Sequence, residues 1–334
     1  MKRLALLLAM LFCLPSLASC RQVRAYSESF YLMDTLVGVT LYTDDADLAE
    51  TAFEECERLL RELDGLWSRH KPSSEISRLN ASETGLDGLD ARTLALLRTA
   101  LDVFVRTGGA FDVTVTPLIA LWERCGKEDR LPTAEELAAA KSAVGYGRLT
   151  LTDTGVIKQN STVTVDLGGI GKGEAISCLI TYLSTTGVLG GLVSFGSNVA
   201  VFGEKPDGAP FRVAIKHPRA ENAVIGKLTL EAGEVLSVSG DYERYVTIGG
   251  NRYHHILDPE TGYPADTGLA SVAVISTDGA EADALSTALL VMGLEDAMAF
   301  YASGVMRFEA IFVDTAGQVS VTGGLADRFE REGT

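Results

Sequence analysis

A glycine-rich turn limits the fold of this chain more than any other feature of its sequence. Residues 165–173 read VDLGGIGKG, and the glycines separate an apolar run from a helical pattern that starts at Lys172. We interpret the segment as a strand end that leads through a tight turn into a helix. Glycine lets a ligand approach main-chain amides, and a helix start favours anions. Together with Lys172, the turn could therefore hold a phosphate.

Standard nucleotide-binding patterns do not fit this turn. Lys172 is followed by Gly173 where a P-loop has serine or threonine, and Asp166 stands at the position of the first P-loop glycine. No GxGxxG spacing can be aligned either. Taken alone, the turn is equally consistent with a flexible connection.

Segments with strand and helix patterns alternate along the rest of the chain. Apolar residues at helical spacing predict helices over 47–66, 91–107, 172–183 and 282–292, with the first turn of another at 132–136. Strand patterns cover 30–42, 192–202, 211–217, 272–276 and 308–313, and antiparallel strands are predicted within 227–253. Since no repeat or long linker interrupts the series, we predict one compact α+β unit that could consist of two lobes around a cleft.

Charge and residue composition exclude several classes of function. The chain has 29 basic and 45 acidic residues, for a net charge of -16, which argues against a protein that binds nucleic acid through phosphate contacts. Its four histidines and five cysteines show no CxxC or HExxH spacing, which argues against structural zinc or haem. A metal, if used, is expected to be a hard cation with oxygen ligands.

The first residues have the pattern of an export signal. Lys2 and Arg3 precede an apolar run over residues 4–14. These eleven residues are too few to span the roughly 30 Å of membrane hydrocarbon, but they suit the apolar region of a secretory signal. We therefore expect residues 1–19 to be a signal peptide and the protein to be exported.

The signal ends in a sequence that resembles the bacterial lipobox. Residues 17–20 read LASC, and in a lipobox the cysteine is acylated and becomes the mature N-terminus. This resemblance predicts a lipidated Cys20 and a tether over 20–27, with the folded domain at 28–334. The protein would be anchored to a bacterial membrane on its periplasmic or extracytoplasmic side. The alternative is an ordinary secretion signal in which the cysteine is coincidental.

The segment ADALSTA at 282–288 contains a candidate cation site. On a helix, Asp283 and Thr287 lie four residues apart and project from the same face. A carboxylate and a hydroxyl there could share one Mg²⁺ and leave coordination sites for water or phosphate. The alternative is a helix N-terminus in which Asp283 favours the dipole and Thr287 is exposed.

Two further segments carry residues that could serve a binding site. In HHILDPETGYP at 254–264, turn chemistry follows two histidines, one of which could be a general base. Such a pair also occurs at ordinary strand ends. In GGAFDVTVTP at 108–117, a helix stops and a strand is predicted to begin, and Phe111 could stack on a ring or belong to the core.

Six segments, in this order, resemble the ApbE family, the FAD:protein FMN transferases. They are MDT at 33–35, SSEISRLN at 73–80, GGAFDVTVTPL at 108–118, VDLGGIGKG at 165–173, HHILDPETGYP at 254–264 and ADALSTA at 282–288. The resemblance implies a single compact unit related to the T-fold. It also implies an enzyme that binds FAD as substrate with Mg²⁺, transfers FMN to a Thr or Ser hydroxyl of an acceptor flavoprotein, and releases AMP. By the same resemblance, acceptors would be subunits of the Rnf or Nqr type.

The family pattern also implies roles for individual residues. The metal site falls on Asp283, Thr287 and a main-chain oxygen of Gly169. His255 aligns with the motif histidine and would assist the attacking hydroxyl. Contacts to FAD fall on Met33, His70, Ala110, Phe111, Asp112, Asp166, Lys172 and Leu257.

The sequence departs from the family pattern at three positions. Asp34 stands where the first motif usually has glycine, Gly171 replaces a small side chain, and His70 lies near the position of an aromatic residue that covers the flavin. Two other functions therefore stay open at this point. One is Mg²⁺-dependent hydrolysis of FAD to FMN and AMP, and the other is a non-catalytic flavin-binding lipoprotein.

Overall fold

The computed structural model describes residues 22–332, and the predicted signal peptide and Cys20 lie outside this range. The helices are α1 (Ala46–Trp67), α2 (Glu75–Ala81), α3 (Ala91–Arg106), α4 (Thr116–Lys127), α5 (Ala134–Lys141), α6 (Gly171–Leu183), α7 (Gly279–Met292) and α8 (Leu294–Ser303). The first eight strands are β1 (Arg24–Leu32), β2 (Thr35–Thr43), β3 (Gly85–Asp87), β4 (Leu149–Leu151), β5 (Gly155–Lys158), β6 (Gly190–Phe195), β7 (Asn198–Gly203) and β8 (Phe211–Lys216). The remaining strands are β9 (Val224–Leu230), β10 (Val235–Gly240), β11 (Tyr245–Ile248), β12 (Asn251–His254), β13 (Leu269–Ser276), β14 (Glu309–Asp314), β15 (Val319–Val321) and β16 (Phe329–Arg331).

One antiparallel sheet organises the fold, in the strand order β1-β2-β6-β7-β10-β13-β14-β15. Helices α1, α6 and α7 cover one face, α3 packs against α7, and the four helices contribute to the main core. A three-stranded sheet of β8, β9 and β16 packs on the other face and forms a second apolar cluster. All eight residues of β13 are buried because both faces are covered, which explains its nearly continuous apolar sequence. The α+β prediction is confirmed.

The predicted helices are confirmed, with their ends moved by at most three residues. Helix α7 begins at Gly279, earlier than predicted, because Asp278 caps it by accepting a hydrogen bond from the Glu281 amide. Helix α5 follows the predicted first turn and has a capping box between Thr133 and Glu136. No helix of the described residues has both the length and the apolar character needed to span a membrane.

The strand predicted over 30–42 is instead a hairpin of β1 and β2. Its two-residue turn consists of Met33 and Asp34, whose φ angles are +51° and +59°. Positive φ at both positions matches the twist of the flanking strands, and aspartate tolerates this conformation better than most residues. Asp34 therefore meets the conformational demand that glycine usually meets there. Regular structure also begins at Arg24, inside the segment predicted to be a tether, so that prediction was wrong over 24–27.

Three other strand predictions were wrong in part. Residues 192–202 form two strands, β6 and β7, that turn at Gly196. The strand expected to begin within 108–117 is instead a turn followed by α4, with Pro117 in the first helical turn. The run before the glycine turn belongs to no sheet, and the Asn80 side chain pairs with its main chain at Val165. This side chain donates to the Val165 carbonyl at 2.8 Å and accepts from the Val165 amide at 2.7 Å.

Candidate functional site

A crossing of two glycines brings the candidate site together. Helices α6 and α7 meet at Gly173 and Gly279, where a Cβ on Gly173 would lie 1.9 Å from the Gly279 carbonyl oxygen. A Cβ on Gly279 would lie 2.2 Å from the Gly173 carbonyl oxygen. Only glycine allows backbones to approach this closely. The crossing therefore places the start of α6 beside Asp283, one turn into α7.

Asp283 is almost completely buried beneath the glycine turn, with 4% of its surface exposed. Its Oδ2 atom accepts a hydrogen bond from the Gly173 amide at 3.0 Å, and its Oδ1 atom lies 3.0 Å from the Ser237 hydroxyl. The Lys172 ammonium donates to the Gly168 carbonyl at 2.9 Å and lies 3.5 Å from Asp283 Oδ2. These hydrogen bonds fix the orientation of the Asp283 carboxylate, and the positively charged Lys172 ammonium lies beside it.

Thr287 and Gly169 are neighbours across the same cleft. The position of a Cβ on Gly169 would be 3.8 Å from Thr287 Oγ1 and 3.2 Å from Phe111 Cε2. Asp283 and Thr287 therefore face the glycine turn, as the helical spacing predicted. The alternative, in which Asp283 only favours a helix N-terminus, does not fit its burial and its bond to Gly173. Phe111 is buried in the main core, yet its ring edge reaches this site.

The donor atoms at this site suit a magnesium ion. They are one carboxylate, one hydroxyl and main-chain oxygens, all of which are hard ligands. Among residues 22–332, no group of three or more His, Cys, Asp or Glu side chains could hold a metal. Mg²⁺ is typically held by one or two carboxylates together with substrate phosphates and water, so a single carboxylate is sufficient for a site that a diphosphate completes.

Asp166 stabilises the glycine turn from its N-terminal side. Its Oδ1 atom accepts from the Gly168 amide at 2.8 Å, and its Oδ2 atom is 3.0 Å from Arg69 Nε. Its own amide donates to the Val113 carbonyl at 2.8 Å, which joins the turn to the loop after Phe111. Arg69 lies two residues after the end of α1, and the next residue, His70, is exposed. Asp166 therefore connects the glycine turn both to the loop after Phe111 and to the segment that follows α1.

Asp112 and Ala110 lie beside Phe111, but the Asp112 side chain is directed into the protein. Its carboxylate accepts hydrogen bonds from the Thr114 amide at 2.7 Å, the Thr114 hydroxyl at 2.6 Å and the Tyr146 amide at 3.1 Å. Burial raises the pKa of Asp112, and these hydrogen bonds oppose the rise. The side chain thus fixes the loop, and any contact of Asp112 with FAD is left to its main chain.

His255 stands near the lysine of the glycine turn. Its Nδ1 atom is 3.0 Å from the Arg244 carbonyl oxygen, so Nδ1 carries the proton and Nε2 keeps a free lone pair. Burial lowers the pKa of His255 to about 4, with smaller contributions from the positive charges of Arg244 and Lys172. The ring is therefore neutral at pH 7 and can accept a proton at Nε2.

The contacts of Met33 and Leu257 are with apolar clusters. Met33, in the β1–β2 turn, packs against the main core, and Leu257 belongs to a third cluster that joins α4 and α5 to β11 and β12. In the same cluster, the Trp122 indole donates to the Gly262 carbonyl at 2.8 Å and so holds the DPETG turn. The contacts described above join Gly169, Phe111, Asp166, Lys172, Asp283 and Thr287. Among the described residues, no hydrogen bond or ion pair joins Met33, His70 or Leu257 to these six residues.

Sequence reasoning missed the serines of β10. Ser237 contacts Asp283, and the Ser239 hydroxyl lies 3.1 Å from Thr287 Oγ1. The available signal was the strand sequence VLSVSG, in which two hydroxyls at alternate positions share one face of an otherwise apolar strand. Gly279, which the crossing requires, was also not identified.

The fold and this cleft define an α+β protein whose site suits a phosphate-bearing ligand together with a hard cation. The chain belongs to the ApbE family, whose sequence model matches residues 33–312. Among curated relatives, the FAD:protein FMN transferase of Vibrio cholerae is 33% identical over 292 residues, covering 85% of this chain and 86% of the relative. The FAD:protein FMN transferase of Haemophilus influenzae is 33% identical over 305 residues, covering 85% of each chain.

Solved structures agree with this membership. The apo form of the Pseudomonas stutzeri flavinyl transferase ApbE superimposes with a TM-score of 0.81 at 31% identity, covering 93% of this chain and 99% of that one. The ApbE protein of Thermotoga maritima gives a TM-score of 0.83 at 31% identity, covering 92% and 100% of the two chains.

Proposed function

We propose that this chain is an FAD:protein FMN transferase. It moves FMN from FAD to a Thr or Ser hydroxyl of an acceptor flavoprotein and releases AMP. The observation that carries the proposal is the position of Asp283 and Thr287, one helical turn apart and facing the glycine turn with Lys172. The names of the relatives and the family membership support the same activity.

The cleft meets the charge requirements of this reaction. The FAD diphosphate is a dianion, whereas the chain has a net charge of -16, so binding needs local positive charge. Lys172 supplies one charge, and the start of α6 adds the positive end of its dipole. Asp283, Thr287 and the Gly169 main-chain oxygen would hold Mg²⁺, which when bound would neutralise charge on the diphosphate and on the departing AMP.

A neutral His255 suits the role of general base. The acceptor oxygen attacks the FMN-side phosphorus and the bond from that phosphorus to the bridging oxygen breaks, so AMP leaves with the bridging oxygen. His255 Nε2 takes the proton of the attacking hydroxyl. Burial, and to a smaller extent the positive charges of Arg244 and Lys172, lower the pKa of His255 and so keep the ring unprotonated before the reaction.

One incubation distinguishes this function from its two alternatives. The full chain in detergent is mixed with FAD, Mg²⁺ and an acceptor flavoprotein that contains the target threonine, and the products are analysed by mass spectrometry. A covalent FMN adduct with release of AMP is expected. Free FMN and AMP without an adduct would favour hydrolysis, and intact FAD would favour a carrier. Flavoprotein subunits of the Rnf or Nqr type are the acceptors to test first.

We also propose that the protein is exported and anchored by a lipid on Cys20, on the extracytoplasmic side of a bacterial membrane. The support is the sequence of residues 1–20, with its apolar run and LASC ending. Labelled palmitate should be incorporated into the wild-type protein and not into Cys20→Ser, and the wild type should fractionate with membranes. Equal labelling of the two proteins would exclude Cys20 as the lipidated residue.

A further inference from the structure

Strand β10 lies directly beneath α7 and presents two hydroxyls to it. Ser237 and Ser239 are two residues apart and therefore share one face of the strand. Asp283 and Thr287 are four residues apart and share one face of the helix. The two spacings nearly match, so each serine contacts one of the two candidate metal ligands, at 3.0 Å for Ser237 with Asp283 and 3.1 Å for Ser239 with Thr287.

A series of hydrogen bonds runs from Thr287 through Ser239 and Ser286 to the Asp283 carbonyl oxygen, and this last acceptor determines which atom donates in each bond. Ser286 Oγ lies 2.8 Å from the Asp283 carbonyl oxygen, which can only accept, so the single hydroxyl proton of Ser286 is used there. Ser239 lies 2.7 Å from Ser286 Oγ and must therefore donate to it. The proton between Ser239 and Thr287 consequently comes from Thr287.

This direction determines what Thr287 offers to the cleft. A hydroxyl has one proton and two lone pairs. Because the Thr287 proton is held by Ser239, both lone pairs of Thr287 Oγ1 are left for another partner. Toward the cleft, Thr287 Oγ1 therefore offers lone pairs and no proton, and a cation is a partner that binds through lone pairs alone.

A second chain of hydrogen bonds leads to Asp283. Ser237 Oγ is 2.8 Å from Asn198 Oδ1 and 3.0 Å from Asp283 Oδ1, but one proton cannot serve two acceptors. Asn198 is fully buried, and its Nδ2 atom has no hydrogen-bond partner among residues 22–332. A half-turn of the Asn198 amide removes the conflict at Ser237, since Nδ2 then donates to Ser237 and Ser237 donates to Asp283, while Oδ1 takes the former position of Nδ2.

We propose that Ser237 and Ser239 are positioning residues, which fix the proton directions beneath α7 so that the Asp283 carboxylate and the Thr287 lone pairs face the cation. Asn198 begins the chain to Asp283, and the Asp283 carbonyl ends the chain from Thr287. The inference rests on the proposed function, because it assigns the cation to Asp283 and Thr287. It concerns side chains that support the ligands, and loss of such support typically weakens metal binding by about 10-fold to 100-fold.

Direct metal binding is the test. The full chain is titrated with Mn²⁺, which reports free metal by electron paramagnetic resonance, for the wild type, Ser237→Ala, Ser239→Ala, Ser239→Thr and Ser271→Ala. Ser271 is a serine on β13 that is as buried as Ser237 and lies outside both chains, so its variant controls for the loss of a buried hydroxyl. Thermal unfolding of each variant shows whether it is folded.

We expect the dissociation constant for Mn²⁺ to rise about 10-fold or more in Ser237→Ala and Ser239→Ala. It should stay within twofold of wild type in Ser271→Ala and recover in Ser239→Thr, which restores the hydroxyl. Wild-type affinity in folded Ser237→Ala and Ser239→Ala would overturn the inference.

A parallel titration of Asp283→Ala shows whether only the positioning role fails or the proposed function fails as well. If Asp283→Ala loses Mn²⁺ binding and FMN transfer while the serine variants do not, only the positioning role fails. If Asp283→Ala keeps both, the proposed function fails as well.

Discussion

Gly173 and Gly279 touch backbone to backbone where α6 crosses α7. A single methyl group on Gly173 would overlap the Gly279 carbonyl oxygen and would also lie 2.7 Å from the Asp283 Cβ atom. The crossing thus couples the packing of two helices to the position of one carboxylate.

Gly173→Ala should destabilise the protein and displace Asp283. The helices must separate to admit the methyl group, and overpacking of this kind costs about 1–3 kcal/mol of the free energy of unfolding. We expect this loss in urea denaturation, together with weaker metal-dependent FMN transfer. Transfer at the wild-type rate would show that the site tolerates a shift of α7.

Gly171→Ala, two residues earlier, should have the opposite effect on stability. A Cβ on Gly171 would lie 3.8 Å from Leu167 Cβ and from Trp67 Cε3, which is ordinary contact. Gly171 is the first residue of α6, and alanine loses less conformational entropy on folding than glycine. We expect a gain of about 0.5–1 kcal/mol in the free energy of unfolding. A loss of stability would mean that the position needs glycine, although its φ is not in the left-handed region.

Asp283→Ala should abolish Mg²⁺-dependent release of AMP from FAD. The substitution removes the single carboxylate of the donor set, and we expect turnover to fall at least about 100-fold. Asp278→Ala is the matched control on the same helix, since Asp278 only caps α7 and its loss costs about 1 kcal/mol of stability. Unchanged turnover in a folded Asp283→Ala protein would refute the assignment.

The pKa of His255 predicts how stability depends on pH. Its value is lowered to about 4 in the folded protein, against about 6.5 in an unfolded chain. Between these values the unfolded state binds a proton that the folded state does not, so His255 makes the free energy of unfolding decrease as the pH falls. Urea denaturation at pH 7 and pH 5 should show a larger decrease for the wild type than for His255→Gln. The prediction fails if the two proteins lose equal stability.

Asp112→Ala should destabilise the loop after Phe111, although we expect the Asp112 side chain to make no direct contact with FAD. The buried amides of Thr114 and Tyr146 would lose their acceptor, at a cost of at least about 2 kcal/mol. We expect this loss in chemical denaturation. If the folded Asp112→Ala protein keeps its stability and binds FAD more weakly, the side chain contacts the ligand instead.

The helices and the shared helix face of Asp283 and Thr287 could be predicted from local sequence, whereas several turns could not. Asp283 and Thr287 share a helix face because of their spacing alone, and the burial of β13 follows from its apolar composition. The turn at Met33 and Asp34 contains no glycine or proline, so the two strands read as one. The alternating run before α4 has strand character, and only Pro117 marks the helix start.

The supporting residues of the site were beyond local prediction because their partners are distant in sequence. Ser237 looks like one polar position in an apolar strand until β10 is placed under α7. Asn80 supports the glycine turn across 85 residues, in a role that no spacing rule describes. Local sequence therefore suggests the candidate ligands more readily than the residues that orient them.

The hydrogen bond from the Gly173 amide to Asp283 spans 110 residues of chain. During synthesis, the glycine turn leaves the ribosome long before the carboxylate that completes the cleft exists. A product that terminated just before α7 would contain Lys172 and six of the eight strands of the central sheet, but it would lack both Asp283 and Thr287. Competence for flavin transfer would thus arise only in nearly complete chains, so incomplete products could not modify an acceptor.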